Sequence, residues 1–162
     1  MDTRNKSCCF TGHRVIPKRD YKKISDQLEL VVLDLITQGF TNFYVGGALG
    51  FDTLAAKTVI KAKKLFSHVK LKLILPCRDQ SIFWNDHDKK VYNEILKAAN
   101  SVEYVADRYT PTCMFERNRR LVDASSVCVC YLVKDRGGTV YTVDYAKKQG
   151  LRIINIAGKI EI

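Results

Sequence analysis

Residues 43–56, read as FYVGGALGFDTLAA, carry a short apolar run straight into a helix-forming stretch through Gly46, Gly47 and Gly50. A strand that feeds a helix through a glycine turn is the repeating unit of a parallel α/β sheet, and ligands of such sheets bind at the carboxyl ends of strands. Glycine reaches positive φ and places no Cβ before the amides, so the N–H groups around Ala48 can converge on an oxyanion. The helix beyond adds the positive end of its dipole. A second junction of the same build, Arg136-Gly137-Gly138-Thr139, follows the apolar run 127–133 and precedes the helical stretch 140–149. Two such turns point to one shared, phosphate-gripping cleft.

Working outward, the same alternation fills the chain. Residues 7–11 read as a strand and 21–38 as a helix, with Ile24, Leu28, Val31, Val32, Leu35 and Ile36 on one apolar stripe ended by Gly39. Strand 42–45, helix 51–64, strand 69–75 and helix 86–99 follow, the last burying Val91, Ile95 and Leu96. Strand 102–105, helix 112–124, strand 126–133, helix 140–149 and strand 152–156 complete the series. The pattern predicts a single three-layer α/β domain over residues 1–162, with a mainly parallel sheet flanked by helices and right-handed crossovers.

Composition narrows the class. At 162 residues, with 46% hydrophobic and 27% charged side chains, the chain suits one globular core. No apolar run approaches the roughly 20 residues of a membrane span, so no membrane partner is expected. The polar stretch 1–7 lacks the apolar centre of a signal peptide, and the expected location is cytoplasmic. The six cysteines are then reduced thiols rather than a disulfide framework. Cys8, Cys9, Cys128 and Cys130 sit in apolar strand runs, and Cys128 and Cys130 share a strand face without a second ligand pair. Neither a metal site nor a cofactor is assigned.

The formal charge of +10 favours an anionic partner. Arg14, Lys18, Arg19, Lys22 and Lys23 crowd the region after the first strand. Lys57, Lys61 and Lys64 share one helical face, which reads as a solvated surface in preference to a nucleic-acid patch.

Four segments carry candidate chemistry. Thr11-Gly12-His13-Arg14 places a hydroxyl, a close-approach glycine, an imidazole and a guanidinium at a strand end; there Arg14 can hold phosphate bidentately and His13 can donate a hydrogen bond or move a proton. In GGALGFD, which is neither a P-loop nor a dinucleotide fingerprint, Asp52 either stabilises the first helical turn or accepts from a ribose hydroxyl or base. In the helical run 116–120, Arg117 and Arg120 share a face with one arginine directed at the cleft, and Glu116 is spaced to pair with Arg120. Phe83 and Trp84 follow the loop 76–80 and either stack on a base or close the core. Asp86, His87 and Asp88 diverge around a helix and read as capping residues. No catalytic triad, thiol–histidine pair or paired-carboxylate site follows from spacing.

Taken in order, FTGHR, GGALGFDTLAA, RNRRLVDASS and GGTVYTVDYAKKQG resemble the SLOG superfamily, the Rossmann-like group that holds DprA/Smf and LOG proteins, and within it the YpsA-like branch of unknown function. The likeness spans about residues 8–156. It implies a Rossmann-like fold. In DprA-like proteins the similar segments belong to a domain that binds single-stranded DNA; here they are residues 46–52, the run Arg117-Asn118-Arg119, and residues 137–142 with Thr142. LOG-like proteins cleave nucleoside monophosphates into base and ribose phosphate with an arginine, which Arg117 resembles, and with the glutamate of a G-G-x-G-T-x-x-E motif. This chain departs there, since Tyr145 takes the glutamate's place with Asp144 beside it. A phenol cannot supply the carboxylate that stabilises charge building on the ribose, which leaves Arg117 and Asp144 as weak catalytic candidates.

The resulting expectation is a binder of a nucleotide or phosphoribosyl ligand, acting as a sensor or binding module. The alternatives are a nucleoside monophosphate N-glycosidase and a single-stranded nucleic-acid binder. A homo-oligomer is expected only by analogy with LOG-like proteins.

Overall fold

Six strands and five α-helices alternate through residues 2–159, the part of the chain that the computed structural model describes. Met1 and residues 160–162, included in the expected domain, lie outside the described residues. The order is β1 (Ser7–Gly12), α1 (Lys18–Thr37), β2 (Asn42–Val45), α2 (Phe51–Leu65), β3 (Lys70–Leu75) and α3 (Asp86–Ala98), then β4 (Ser101–Tyr104), α4 (Cys113–Asp123), β5 (Val127–Tyr131), α5 (Gly138–Lys148) and β6 (Arg152–Asn155). Short 3-10 turns occupy Arg4–Lys6 and Ile156–Lys159.

The strands form one sheet in the order β4-β3-β2-β1-β5-β6, and every pairing is parallel. A parallel sheet is covered on both faces, and its central strands are therefore apolar throughout; all five residues of β5, VCVCY, are buried. Alternate residues of β1 divide between two cores. Cys8 and Phe10 join Leu28, Leu35, Leu54, Val59 and Ile95 of α1, α2 and α3, whereas Cys9 joins Cys128, Cys130, Leu121, Val122, Val143 and Ala146 under α4 and α5. All six cysteines are buried and free, packing as small apolar groups.

Most boundaries shift by a residue or more from the sequence pattern, and three of the shifts have a clear local reason. Helix α1 starts at Lys18, immediately after Pro17, whose fixed φ suits the entry to a helix. Strand β5 stops at Tyr131, short of the expected residue 133, because the Val133 and Lys134 amides turn to the His13 ring and the Leu132 amide turns to Asn155. Strand β6 stops at Asn155, whose side chain donates to the Leu132 carbonyl and accepts from the Ala157 amide.

This topology positions the site. Helices α1 to α3 step the chain outward from β1 to β4 over one face, and α4 returns it over the other face to β5, next to β1. The loops leaving β1 and β5 thus part to opposite faces and leave a crevice between them, the switch point at which open α/β sheets take ligands.

Candidate functional site

A cavity of about 280 Å³ opens at that switch point. Thr11, Gly12, His13 and Arg14 line it from the end of β1, Ala48 and Asp52 from the β2–α2 turn, Arg117 and Asn118 from α4, and Gly138 and Thr139 from the start of α5. Both glycine turns therefore reach one hollow, although they present different groups to it.

In the first turn part of the backbone is occupied by the fold itself. The Ala48 amide donates to the Asp52 carboxylate at 3.1 Å, Thr53 Oγ1 donates to the Ala48 carbonyl at 3.2 Å, and the Phe51 amide donates to the His13 carbonyl at 3.1 Å. Gly50, at φ +77°, is the N-cap of α2 and lies against the backbone of Arg14, where no side chain fits. Gly47 packs against Leu75, away from the cavity, and neither it nor Gly46 or Gly50 lines the hollow. Of the residues expected to grip phosphate in this turn, Ala48 and Asp52 line the hollow, while the Gly46 carbonyl accepts from Arg117.

The second turn is open. Gly137, at φ +105°, is the N-cap of α5, no side chain caps that helix, and the space beside Gly137 and Gly138 is empty to 4 Å. The first amides of a helix have no acceptor within it, and Gly138 and Thr139, which carry two of them, line the cavity with the positive end of an 11-residue helix behind them. Thr142 lies one turn further on, fully buried, and its hydroxyl bonds back to the Gly138 carbonyl; it braces the turn without lining the hollow.

Arg117 forms the floor. Only 5% exposed, it donates from Nη1 to the Gly46 carbonyl and from Nε to Asn118 Oδ1 at 2.7 Å. A Cβ on residue 46 would stand 2.8 Å from Nη1 and 2.9 Å from Cδ of Arg117, so glycine is required for this approach. Burial weakens the guanidinium's hold on its proton, and Asp52 counters it. Asp52 itself is buried, and burial pushes its carboxyl up to about 6 against the opposing pull of Arg117, the Ala48 amide and Arg14. The cavity thus holds a fixed buried cation and a carboxylate poised near neutrality.

His13 has a different task from the one its composition suggests. Its Nε2 accepts from the Val133 amide at 3.0 Å and the Lys134 amide at 3.4 Å, while the ring edge meets Tyr131 at 5.7 Å. That arrangement requires neutral imidazole with its proton on Nδ1, and burial with Lys134 nearby pushes its pKa down. His13 ties the β5–α5 loop to β1. Arg14 is exposed at the mouth.

Several sequence candidates lie elsewhere. Asp144 is exposed on α5 and does not line the cavity, and Tyr145 donates to Asp123 on the outer surface, so the catalytic candidacy of Asp144 is corrected: the carboxylate at the site is Asp52. Helical phase explains this, because burial of Thr142, Val143 and Ala146 turns residue 144 outward. Arg120 pairs with Glu103 at 2.5 Å, and Glu116 accepts from Thr112, in place of the expected Glu116–Arg120 pair. Trp84 packs edge-on against Tyr92 at 5.2 Å beneath its loop, Phe83 is 95% exposed, and neither lines the hollow. The cap of α3 is Asn85, which accepts from the Asp88 amide at 2.8 Å. Sequence reasoning missed the apolar lining, Phe10, Met114, Phe115 and Leu121. The signal for Met114 and Leu121 was their helical spacing around Arg117, at i−3 and i+4.

A family model, the YspA SLOG family, matches residues 12–155 of the chain. A UPF0398 protein of Halalkalibacterium halodurans is 31% identical over 129 residues, 78% of this chain and 68% of that protein. The uncharacterized SPbeta prophage-derived protein YoqJ of Bacillus subtilis is 30% identical over 139 residues, 78% of this chain and 81% of its own length. Among solved structures, DNA processing protein A from Helicobacter pylori superposes with a TM-score of 0.65 at 18% identity over 91% of this chain. The same protein from Streptococcus pneumoniae superposes with a TM-score of 0.65 at 15% identity, also over 91%. The likeness spans 63% and 48% of those two chains, so it covers part of each, and at these identities it shows the fold. The chain belongs to the YspA SLOG family.

Proposed function

We propose that this member of the YspA SLOG family binds a nucleotide or related phosphoribosyl ligand at the switch point, as a sensor or binding module. One observation carries the reading: the uncapped start of α5 at Gly138 and Thr139 shares a cavity with buried Arg117 and buried Asp52. Main-chain amides and the helix dipole suit a phosphate, which Arg14 covers from the mouth. Arg117, pinned by Gly46 and Asn118, offers a positive potential that needs no rearrangement on binding. Asp52 accepts from sugar hydroxyls but repels phosphate, so the polar ends of the ligand lie with phosphate toward α5 and ribose toward α2. Titration calorimetry with nucleoside monophosphates, ADP-ribose and ribose 5-phosphate tests the reading, together with mass spectrometry of small molecules released from the purified protein. No heat from any of these ligands and no released ligand would overturn it.

A second reading, binding of single-stranded nucleic acid, draws support from the +10 charge. DNA processing protein A from Helicobacter pylori binds single-stranded DNA. Filter binding of an oligonucleotide at two salt concentrations separates the two readings, since phosphate-backbone contacts weaken steeply with salt. The N-glycosidase alternative loses Asp144 and would have to employ Asp52; chromatography for free base after incubation with nucleoside monophosphates decides it.

A further inference from the structure

Beside the cavity, on its α4–α5 rim, lies a second hollow of about 500 Å³ lined by Thr112, Phe115, Glu116, Arg119 and Tyr141. Phe115 belongs to both and forms the wall between them. Phe115 is 46% exposed, a large apolar surface to leave open. Tyr141 meets it edge-on, with centroids 4.9 Å apart at 74°. The Tyr141 hydroxyl accepts from Arg119 Nε at 2.8 Å, and the Arg119 guanidinium lies 5.5 Å from the Tyr145 ring centre. Phenylalanine, tyrosine and arginine are thereby joined into one shelf, in which Phe115 and Arg119 are exposed.

We infer that this shelf is a nucleobase subsite, on which Phe115, braced edge-on by Tyr141, stacks the base of the ligand whose phosphate lies at Gly138 and Thr139. The inference rests on the phosphate-site reading above. Continuity supports it, because the shelf begins where the cavity wall ends and α5 supplies both parts, its first residues to the phosphate and Tyr141, one turn on, to the base. Chemistry supports it too. Every base has a π-face, and a platform of aromatic rings with an adjoining arginine accepts bases without reading their edges. Glu116, also on the lining, supplies one acceptor for an exocyclic amine. The shelf therefore favours nucleotides over bare sugar phosphates and discriminates weakly among bases.

Calorimetry of the full chain with adenosine 5′-monophosphate and with ribose 5-phosphate tests this directly. The wild type should bind the nucleotide about tenfold to a hundredfold more tightly than the sugar phosphate, the range that stacking on aromatic side chains provides. Phe115→Ala should remove most of that advantage, weakening the nucleotide far more than ribose 5-phosphate, whereas Phe115→Tyr, which keeps an aromatic face, should retain it. Equal wild-type affinity for the two ligands would overturn the shelf alone. So would a Phe115→Ala variant that weakens both ligands equally, since that outcome marks Phe115 as support for the cavity. Failure of both ligands to bind the wild type would remove the phosphate site, and the shelf with it.

Discussion

Replacing Asp52 by asparagine should change the pH dependence of stability in a direction opposite to that of an ordinary salt-bridged carboxylate. Burial raises the Asp52 carboxyl from its usual 3.8 to about 6 in the folded chain. Between those values the native state holds a proton that the unfolded state has released, so stability falls as pH rises through the window and is recovered below it. At 1.36 kcal/mol per pH unit, the shift corresponds to about 3 kcal/mol, of which about 2 to 3 kcal/mol develops between about pH 8 and about pH 4. Asparagine keeps an oxygen acceptor for the Ala48 amide, so the turn retains its bond. Loss of the charge beside Arg117 shifts stability by an offset that pH does not alter, because arginine stays protonated throughout. His13 titrates in the same region but is common to both proteins, and its contribution cancels in the comparison.

The assay is urea unfolding of the wild type and Asp52→Asn at intervals from about pH 4 to about pH 8, followed by far-ultraviolet circular dichroism and extrapolated to water. Relative to the variant, the wild type should gain about 2 to 3 kcal/mol as pH falls, with most of the change around and below pH 6. A gap between the two proteins that stays constant over the range would refute the reasoning, because it would mean that Asp52 titrates alike folded and unfolded. A gap that moves the other way would show that Arg117 outweighs burial.

Three further perturbations probe the neighbouring groups. Gly46→Ala drives a methyl against Nη1 and Cδ of Arg117, at 2.8 and 2.9 Å, and should cost about 1 to 3 kcal/mol, with loss of nucleotide binding; unchanged melting and calorimetry would mean that Arg117 is not held there. Gly138→Asp enters open space at the start of α5 and should stabilise the fold by about 0.3 to 1 kcal/mol while weakening phosphate ligands more than about tenfold, so a variant that binds as well as wild type would place the phosphate elsewhere. His13 should show the Nδ1–H tautomer in nitrogen-detected NMR and titrate below 6.5, because protonation destroys the acceptor for the Val133 and Lys134 amides; stability from this group is then lost as pH falls, and an apparent value above 6.5 would contradict the tie.

The order of elements was legible in the sequence because each strand and helix carries its own period and each junction its own punctuation, as at Gly39, Gly50 and Gly150. Boundaries drifted where a side chain distant in sequence intervened. Strand β5 ends early because His13 and Asn155, 120 and 23 residues away from Val133 and Leu132, take the amides that a further ladder would use. No local pattern in the run 127–133 records that. The site divided along the same line. Arg117 was nameable from its segment, but whether Arg117 or Arg120 faced the cavity depended on the roll of α4 over the sheet, set by Leu121 and Val122 in the core. Asp144 shows the converse. Thr142, Val143 and Ala146 fix the buried side of α5, so the outward direction of Asp144 follows from the helix's own stripe, whereas the motif position beside Tyr145 drew attention to it.

Glycine chemistry explains the remaining difference. A glycine turn at a strand end was read as an amide donor, yet the two turns serve opposite ends of the hydrogen bond. At Gly137–Gly138 no neighbour consumes the amides and the helix start is free to donate. At Gly46 the missing Cβ admits Arg117, and the group offered is the carbonyl. The first turn thereby holds a buried cation in place, and Asp52 in the same turn moderates its charge. Arginine at the centre, carboxylate on one side and open amides on the other make the cavity electrostatically two-ended. A ligand with phosphate at one end and hydroxyls at the other satisfies that polarity, whereas a uniformly anionic strand would bring phosphates against Asp52. On the proposed reading a compact nucleotide occupies the cavity, and any single-stranded nucleic acid would be confined to the rim where Arg14 and Arg119 are exposed.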